Sequence, residues 1–180
     1  MKFVPTSISG VWIIQQDRHE DDRGWFARTW CESEFAAHGI STRFAQCNAS
    51  FNKQRGTLRG MHLQDAPHAE AKLVRCTRGA MFDVALDLRP GSPTFGKWEG
   101  VELTEENGTA FFIPEGCAHG FQTLADATEV FYQISVPYHP GSGRCWAWND
   151  PVFDIRWPFP AGACLSPRDA AAPCYPSSQA

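Results

Sequence analysis

The sequence lacks the signals that mark several large classes of protein. Its 180 residues contain no apolar run long enough to span a membrane, and the opening MKFVPTSISGVW has no apolar segment typical of a signal peptide. There is no internal repeat and no low-complexity segment. The net charge of −4 gives no excess of basic residues, which disfavours a general nucleic-acid binder. We therefore expect a cytoplasmic protein with neither a membrane nor a nucleic acid as partner.

The cysteines also lack an ordered pattern. Seven are present, an odd number, and no pair has the C-x-x-C spacing. They fit neither a zinc ribbon nor a compact disulfide framework. We therefore expect mostly buried free thiols in a reducing compartment. The positions are Cys31, Cys47, Cys76, Cys117, Cys145, Cys164 and Cys174.

The composition favours one domain built from short strands. With 43% hydrophobic residues, the chain can form one core but not two of ordinary size. Its 15 glycines and 13 prolines suit many turns better than a few long helices. We expect a single domain over 1–180, with N-terminal strands in 1–20 and a surface tail over 170–180.

Strand-like segments dominate the middle of the chain. Segments 73–77 and 81–88 are rich in β-branched and apolar residues and meet at a glycine turn. In the second segment alternate residues are apolar, while Asp83 and Asp87 share the opposite face, where we expect an ordered polar network. Further strands are predicted at 98–104, 109–114 and 130–136. Short strands at this spacing predict a β-sandwich or barrel.

One segment is typical of a helix. SEFAAHG, residues 33–39, begins with Ser33 as a candidate N-cap and carries Glu34 in its first turn. Gly39 is a suitable C-terminal stop.

Two stretches have the spacing of the paired motifs of the cupin barrel. The second motif, G-x5-P-x-G-x2-H, is complete, and its residues are Gly108, Pro114, Gly116 and His119. In the first motif, Gly56 and His62 fit the opening and Gly79 the close. The two remaining metal-ligand positions hold Gln64 and Lys72.

The lysine changes the expected chemistry. A protonated ammonium cannot bind a divalent ion, and two histidines alone make a poor metal site. We therefore expect no metal, and Lys72 is suited to holding an oxyanion instead.

The residues around these motifs resemble the dTDP-4-dehydrorhamnose 3,5-epimerase family. The resemblance rests on RGMHLQ, KLVRCTRGAMFDVALDLRPGSPTFGKW, IPEGCAHGF, WNDP and LSPRD, and extends from DDRGWF to Asp169. It implies a mainly β fold, a cupin-type β-barrel or jelly roll with a few short helices. It also implies a homodimer and an epimerase of nucleoside-diphosphate-linked 4-keto-6-deoxyhexoses that works without a cofactor.

The resemblance assigns catalytic roles to four residues. His62 is the base, and Asp169 pairs with it and favours the imidazolium. Lys72 lies near the developing enolate, and Tyr132 is the proton donor on the opposite face.

The resemblance assigns substrate binding to eight further positions. They are Arg23 and Arg59 near the diphosphate, Gln46 and Asn48 as polar contacts, Phe26 and Tyr138 as aromatic surfaces, His119 in the cavity wall, and Arg168 where the family has lysine.

Several departures from the family pattern concern specificity. Leu63 replaces a common tyrosine, Arg28 replaces a common glutamate, and HPGSGR at 139–144 replaces an acidic segment. They bear on the nucleoside and the sugar more than on the reaction, and Arg28 leads us to expect weaker use of dTDP sugars than typical members of the family show. An epimerase of C3 or C5 alone, acting on a GDP- or CDP-linked sugar, stays open. So do a metal-dependent cupin and a non-catalytic sugar-nucleotide-binding cupin.

Overall fold

Short antiparallel strands form most of the protein, in a computed structural model that describes residues 1–40 and 43–176. The mainly β fold expected from the sequence is confirmed. The strands are β1 (Lys2–Pro5), β2 (Trp12–Gln15), β3 (Arg18–Asp21), β4 (Gly24–Ala27), β5 (Gln46–Asn52), β6 (Leu58–Gln64), β7 (Lys72–Arg78), β8 (Ala80–Asp87), β9 (Trp98–Thr104), β10 (Ala110–Ile113), β11 (Cys117–Thr123), β12 (Thr128–Ile134) and β13 (Gly143–Cys145). Two short helices, α1 (Glu32–Ala36) and α2 (Pro167–Ala170), complete the described elements. No helix in these ranges is long and apolar enough to cross a membrane.

Two large sheets pack face to face. One has the strand order β1-β2-β10-β7-β12-β5, and the other has the order β13-β6-β11-β8-β9. Their shared core contains Val74 and Phe111 from the first sheet and Met81, Leu103 and Phe121 from the second, all at most 1% exposed. The strands β3 and β4 form a separate hairpin. This arrangement of two sheets around one core is the expected jelly roll.

The hairpin predicted between the two strand-like segments is confirmed, with the turn at Gly79. This glycine has φ +75°, and a Cβ there would lie 2.8 Å from Thr128 Oγ1. Glycine is therefore required both by the backbone conformation and by the close approach of β12.

Both faces of β8 are buried, which the alternating pattern did not reveal. The face with Val84 and Leu86 packs against Phe153 and Trp157 of the C-terminal segment, not against the opposite sheet. Asp83 lies on the inner face instead, completely buried. The face of β8 that carries Asp83 and Asp87 therefore points into the barrel.

The helix prediction was partly wrong. The N-cap of α1 is Cys31, with no side-chain cap, and Ser33 lies inside the helix. Helix α2 was not predicted from the sequence, although Ser166 caps it through a hydrogen bond from the Asp169 amide and proline follows the cap.

The expectation that the cysteines are mostly buried was wrong, although all seven are free. Only Cys76 and Cys117 are buried, and Cys31 and Cys145 are partly exposed. The other three lie on the edge strand β5 or in loops, where little covers them.

The predicted tail over 170–180 is described only to residue 176. Within it, the Tyr175 amide donates to Asp150 Oδ2 at 2.6 Å, and the Tyr175 ring packs against Trp146 and Phe153. Residues 177–180 lie outside the described part of the chain.

Candidate active site

A cavity of about 370 Å³ opens between the two sheets. Strands β5, β7 and β12 of one sheet and β6, β11 and β13 of the other form its walls. Nine of the twelve predicted site residues line it: Gln46, Asn48, Arg59, His62, Lys72, His119, Tyr132, Tyr138 and Arg168. The fold thus collects residues that are up to 122 positions apart in the sequence.

A break in strand pairing shapes the wall formed by β6. The register between β6 and β11 shifts between His119 and Phe121, which is typical of a β-bulge. Arg59 and His62 are three residues apart, so strict alternation would place them on opposite faces. Because of the shift, both line the cavity.

His62 and Asp169 form a hydrogen-bonded pair. His62 Nε2 lies 2.6 Å from Asp169 Oδ1, and Ser166 Oγ donates to Asp169 Oδ2 at 2.8 Å. Burial alone would raise the pKa of Asp169, but the hydrogen bonds from His62 and Ser166 outweigh it and hold the pKa below its ordinary value. Asp169 is therefore an ionised partner that fixes the ring and leaves His62 Nδ1 to accept a proton.

Lys72 is a buried cation beside this pair. Its Nζ lies 2.9 Å from Glu70 Oε1 and donates to the His62 carbonyl oxygen at 3.4 Å. Glu70 Oε2 also accepts from Gln64 Nε2 at 3.0 Å. The ammonium is thus held in place next to the strand that carries His62.

Tyr132 lies on β12, in the sheet opposite His62. Its hydroxyl is 3.2 Å from Ser50 Oγ, and burial raises the phenol pKa well above its ordinary value. The phenol is therefore protonated at neutral pH, as a proton donor must be.

A second histidine–aspartate pair lies beside the first. His119 faces His62 in the strand register, and its Nε2 is 2.6 Å from Asp83 Oδ1. Burial raises the pKa of Asp83, while the neighbouring His119 opposes this, and Asp83 Oδ2 has no hydrogen-bond partner among the described residues. The His119 ring also meets Tyr132 edge-on, with centroids 6.1 Å apart.

Asp83 therefore lies beside the site, and the ordered polar surroundings expected for Asp83 and Asp87 are two separate clusters. Asp87 instead accepts hydrogen bonds from Arg89, Ser92 and Thr94. The two carboxylates lie four residues apart on one face of β8 but serve separate clusters.

Comparisons with known proteins match this chain to one family. The family model described as dTDP-4-dehydrorhamnose 3,5-epimerase matches residues 5–176. The dTDP-4-dehydrorhamnose 3,5-epimerase of Sinorhizobium fredii is 43% identical over 173 residues, covering 96% of this chain and 89% of the relative. The chain belongs to the dTDP-4-dehydrorhamnose 3,5-epimerase family. The resemblance predicted from the sequence is confirmed, and the protein is a sugar epimerase of deoxysugar biosynthesis.

The fold of this chain is closely similar to two solved structures of sugar epimerases. A crystal structure of dTDP-6-deoxy-D-glucose-3,5-epimerase from Legionella pneumophila in complex with dTDP-4-keto-L-rhamnose superposes with a TM-score of 0.90. It is 40% identical, and the match covers 96% of this chain and 92% of that one. A 3′-monoepimerase from Streptomyces bikiniensis in complex with dTDP-quinovose gives a TM-score of 0.87 at 37% identity, covering 94% and 86%. The same fold thus serves a 3,5-epimerase and a 3′-monoepimerase.

Several members of the predicted binding set have protein partners of their own. Arg59 Nε donates to Asn52 Oδ1 at 2.9 Å, which holds the guanidinium at the cavity wall. The Tyr138 amide donates to Gln46 Oε1 at 3.0 Å, and 58% of Tyr138 is exposed at the cavity mouth. Arg168 lies at the same mouth, in an exposed position.

Two predicted binding residues do not reach the cavity within one chain. Arg23 and Phe26 lie on the β3–β4 hairpin, where Arg23 pairs with Asp21 and 74% of Phe26 is exposed. Arg28, one of the departures, pairs with Glu34 and also lies outside the cavity lining.

Sequence reasoning missed four residues that complete the site: Ser50, Glu70, Asp83 and Cys145. Glu70 had a usable signal, because it lies two residues before Lys72 and alternate residues of an extended chain share a face. Cys145 had none, since its position depends on the pairing of β13 with β6.

Proposed function

We propose that the protein epimerises a nucleoside-diphosphate-linked 4-keto-6-deoxyhexose at C3, C5 or both, without a metal or an organic cofactor. One observation carries the proposal: the His62–Asp169 pair and Tyr132 lie on opposite walls of one cavity that also holds a buried lysine. Inversion at carbon requires removal of a proton from one face and its return to the other.

The first half of the reaction belongs to His62. The C4 ketone makes the hydrogens at C3 and C5 acidic, and His62 Nδ1 accepts one of them. Asp169 stabilises the imidazolium that forms, as an ionised carboxylate on the other ring nitrogen does. The Lys72 ammonium stabilises the negative charge on the enolate oxygen, a task that a preorganised cation performs without reorganisation.

The second half belongs to Tyr132. Its phenol delivers a proton to the opposite face of the carbanion and becomes a phenolate. Exchange with solvent then removes the proton from His62 and restores it to Tyr132, so that no net proton is consumed. Burial raises the pKa of the Tyr132 phenol, so the phenol gives its proton only to a strong base such as the enolate carbon.

The nucleotide is proposed to lie at the cavity mouth, with dTDP as the carrier. Arg59 and Arg168 supply guanidinium groups that match diphosphate oxygens, and Tyr138 supplies an exposed aromatic face. The relatives from Legionella pneumophila and Streptomyces bikiniensis, both crystallised with dTDP sugars, support this carrier.

The experiment is incubation with dTDP-, GDP- and CDP-linked 4-keto-6-deoxyhexoses in deuterated water. We expect deuterium at C3, C5 or both of the dTDP sugar, accompanied by inversion. A preference for GDP or CDP would refute the carrier, and the absence of exchange in all three would refute the epimerase mechanism.

We also propose a homodimer in which the β3–β4 hairpin contributes Arg23 and Phe26 to the partner's site. The support is their exposure away from the cavity, together with exposed aromatic surface on the edge strand β5, where Phe51 is 50% exposed. A hairpin that projects two aromatic residues and an arginine into solvent is typical of an interaction element.

Subunit complementation tests this arrangement. His62→Ala and Arg23→Ala subunits are mixed, and activity is measured at low substrate concentration. If Arg23 serves the partner's site, the heterodimer gains one complete site and the mixture exceeds the sum of its components. Simple additivity in a mixture shown to contain heterodimers would place Arg23 in its own chain's site.

A further inference from the structure

Three possible metal-ligand atoms of different chemistry lie close together beside His62, the proposed base. They are His62 Nε2, Asp169 Oδ1 and Cys145 Sγ, all within 4.8 Å of one another. The sulfur donates to Asp169 Oδ1 at 3.5 Å, and the imidazole nitrogen lies 2.6 Å from the same oxygen. We propose that these three residues form a Zn²⁺ site whose occupation inhibits the enzyme.

The sheet holds the donors in place. Cys145 lies on β13 directly opposite His62 on β6, so the strand register sets the distance between thiol and imidazole. Asp169 is fixed by α2, where Ser166 Oγ holds its second carboxylate oxygen at 2.8 Å. A hydrogen bond of this kind is what orients a carboxylate ligand in known metal sites.

Two of the three ligand separations suit Zn²⁺ after a small adjustment, and the third, between Cys145 and His62, is within 4.8 Å. Tetrahedral Zn²⁺ lies about 2.0–2.3 Å from nitrogen, oxygen and sulfur ligands, which places the ligands roughly 3.3–3.7 Å apart. The separation between Cys145 and Asp169 already falls in this range. The separation between His62 and Asp169 has to open by roughly 0.7–1 Å, which a small rotation of the imidazole provides.

The donor set selects the ion. Thiolate and imidazole favour Zn²⁺ and similar transition metals, whereas Mg²⁺ and Ca²⁺ require oxygen ligands. Burial, with the neighbouring Asp169, raises the pKa of the Cys145 thiol to about 11, while Arg168 lowers it. Zn²⁺ therefore binds with release of the thiol proton, as it does at other cysteine ligands.

This site differs from the metal position of a catalytic cupin. Of the four cupin ligand positions it uses only His62, and Lys72 takes no part in it. Zn²⁺ here would take Nε2 of His62 and Oδ1 of Asp169, so the carboxylate could no longer stabilise the imidazolium. The inhibitory effect rests on the proposed role of His62 as base, whereas the binding of the ion does not.

Metal binding is measured first, with Co²⁺ as a spectroscopic substitute for Zn²⁺. We expect wild-type protein to develop the near-ultraviolet absorption of a cobalt–thiolate bond, and Cys145→Ser to lack it. Cys174→Ser is the matched control, because it removes an exposed thiol outside the cavity, and it should keep the band. Equal bands in wild type and Cys145→Ser, or no band in either, would overturn the site.

Inhibition is measured next, as the Zn²⁺ concentration that halves each variant's own epimerase rate. Loss of a ligand should raise this concentration for Cys145→Ser at least about tenfold, with no change for Cys174→Ser. Equal sensitivity of all three proteins would overturn the inhibitory role. If the protein proved to lack epimerase activity, the cobalt band would still decide whether the metal site exists.

Discussion

Asp169 holds His62 through Nε2, so Nδ1 is the ring nitrogen left for the proposed proton abstraction. Substitutions of His62 and of Asp169 should therefore have different effects on catalysis. In the proposed mechanism, removal of His62 removes the base itself, whereas removal of the Asp169 charge leaves a base whose protonated form is less stable.

We expect His62→Ala to abolish solvent deuterium exchange at both C3 and C5. Asp169→Asn keeps the shape of the side chain but loses its charge, and we expect a slower rate. Loss of a general base costs on the order of 10²–10⁴ in rate. Exchange is followed by NMR, with His38→Ala, an exposed histidine outside the cavity, as control. Near-normal exchange in folded His62→Ala would assign the base elsewhere.

Tyr132→Phe should separate exchange from inversion. The variant keeps the ring and loses one hydrogen bond to Ser50, so the stability loss should be about 0.5–1.5 kcal/mol. Deprotonation by His62 persists, so deuterium still enters with return to the original face, while inversion falls much further. Tyr175→Phe is the control, because it removes a phenol hydroxyl from a tyrosine that lies outside the cavity lining. Parallel loss of exchange and inversion would make Tyr132 the base.

Arg59→Ala should raise KM strongly with a smaller effect on kcat, because diphosphate charge is left less well paired. Arg23→Ala should do the same in the dimer. Arg55→Ala is the matched control, since Arg55 lies over the Phe159 ring and outside the cavity lining. Steady-state kinetics decide, and an unchanged KM for both Arg59→Ala and Arg23→Ala would move the phosphate site.

Exhaustive removal of metal ions by a chelator should leave the epimerase activity unchanged. The four cupin ligand positions line the cavity, but Lys72 pairs with Glu70 and Gln64 bonds to the adjoining loop, which leaves a donor set unsuited to a divalent ion. Activity and metal content are measured on the same sample before and after chelation. A stoichiometric ion whose removal abolishes activity would contradict the proposed mechanism.

Asp87 should make the fold sensitive to acid. Burial alone would raise its pKa, but hydrogen bonds from Arg89, Ser92 and Thr94 lower it well below the ordinary 3.8. A carboxyl with a depressed folded pKa stabilises the fold above its unfolded pKa, and this contribution is lost as pH falls toward the folded value. We expect a loss on the order of 1–3 kcal/mol from Asp87 below about pH 4.

Denaturant unfolding between pH 7 and pH 3 measures this effect. Asp87→Asn should be less stable than wild type at pH 7 and should lose less stability on acidification. The exposed Asp22→Asn should follow the wild-type curve. If Asp87→Asn has the same pH dependence as wild type, the acid sensitivity arises from other carboxylates.

The spacing of the sequence motifs was sufficient to predict several residues of the candidate site. His62, Lys72 and His119 follow from the two cupin motifs, and each lies in the cavity wall. The contact of Asp83 with His119 was not predicted, because the alternation along β8 identifies the apolar face but not the segment that covers that face. The C-terminal segment with Trp157 covers it, and this contact depends on the tertiary fold.

Other parts of the site depend on contacts between distant segments. Ser50 reaches Tyr132 because β5 pairs with β12, and Cys145 reaches Asp169 because β13 pairs with β6. Local propensity carries no information on such pairings. The proposed use of Arg23 requires a second chain, which neither the periodicity of the sequence nor the fold of one chain reveals.

The hydrogen bond between His62 and Asp169 spans 107 residues and joins the barrel to a segment that follows its last strand. The two sheets contain all of their strands without α2, so the docking of α2 is a contact separate from the pairing of the strands. Recovery of catalysis should lag behind recovery of β-sheet circular dichroism, because activity reports the docking of α2 and not the closure of the barrel. We therefore expect the enzymatic rate to report the docking of α2 onto the barrel.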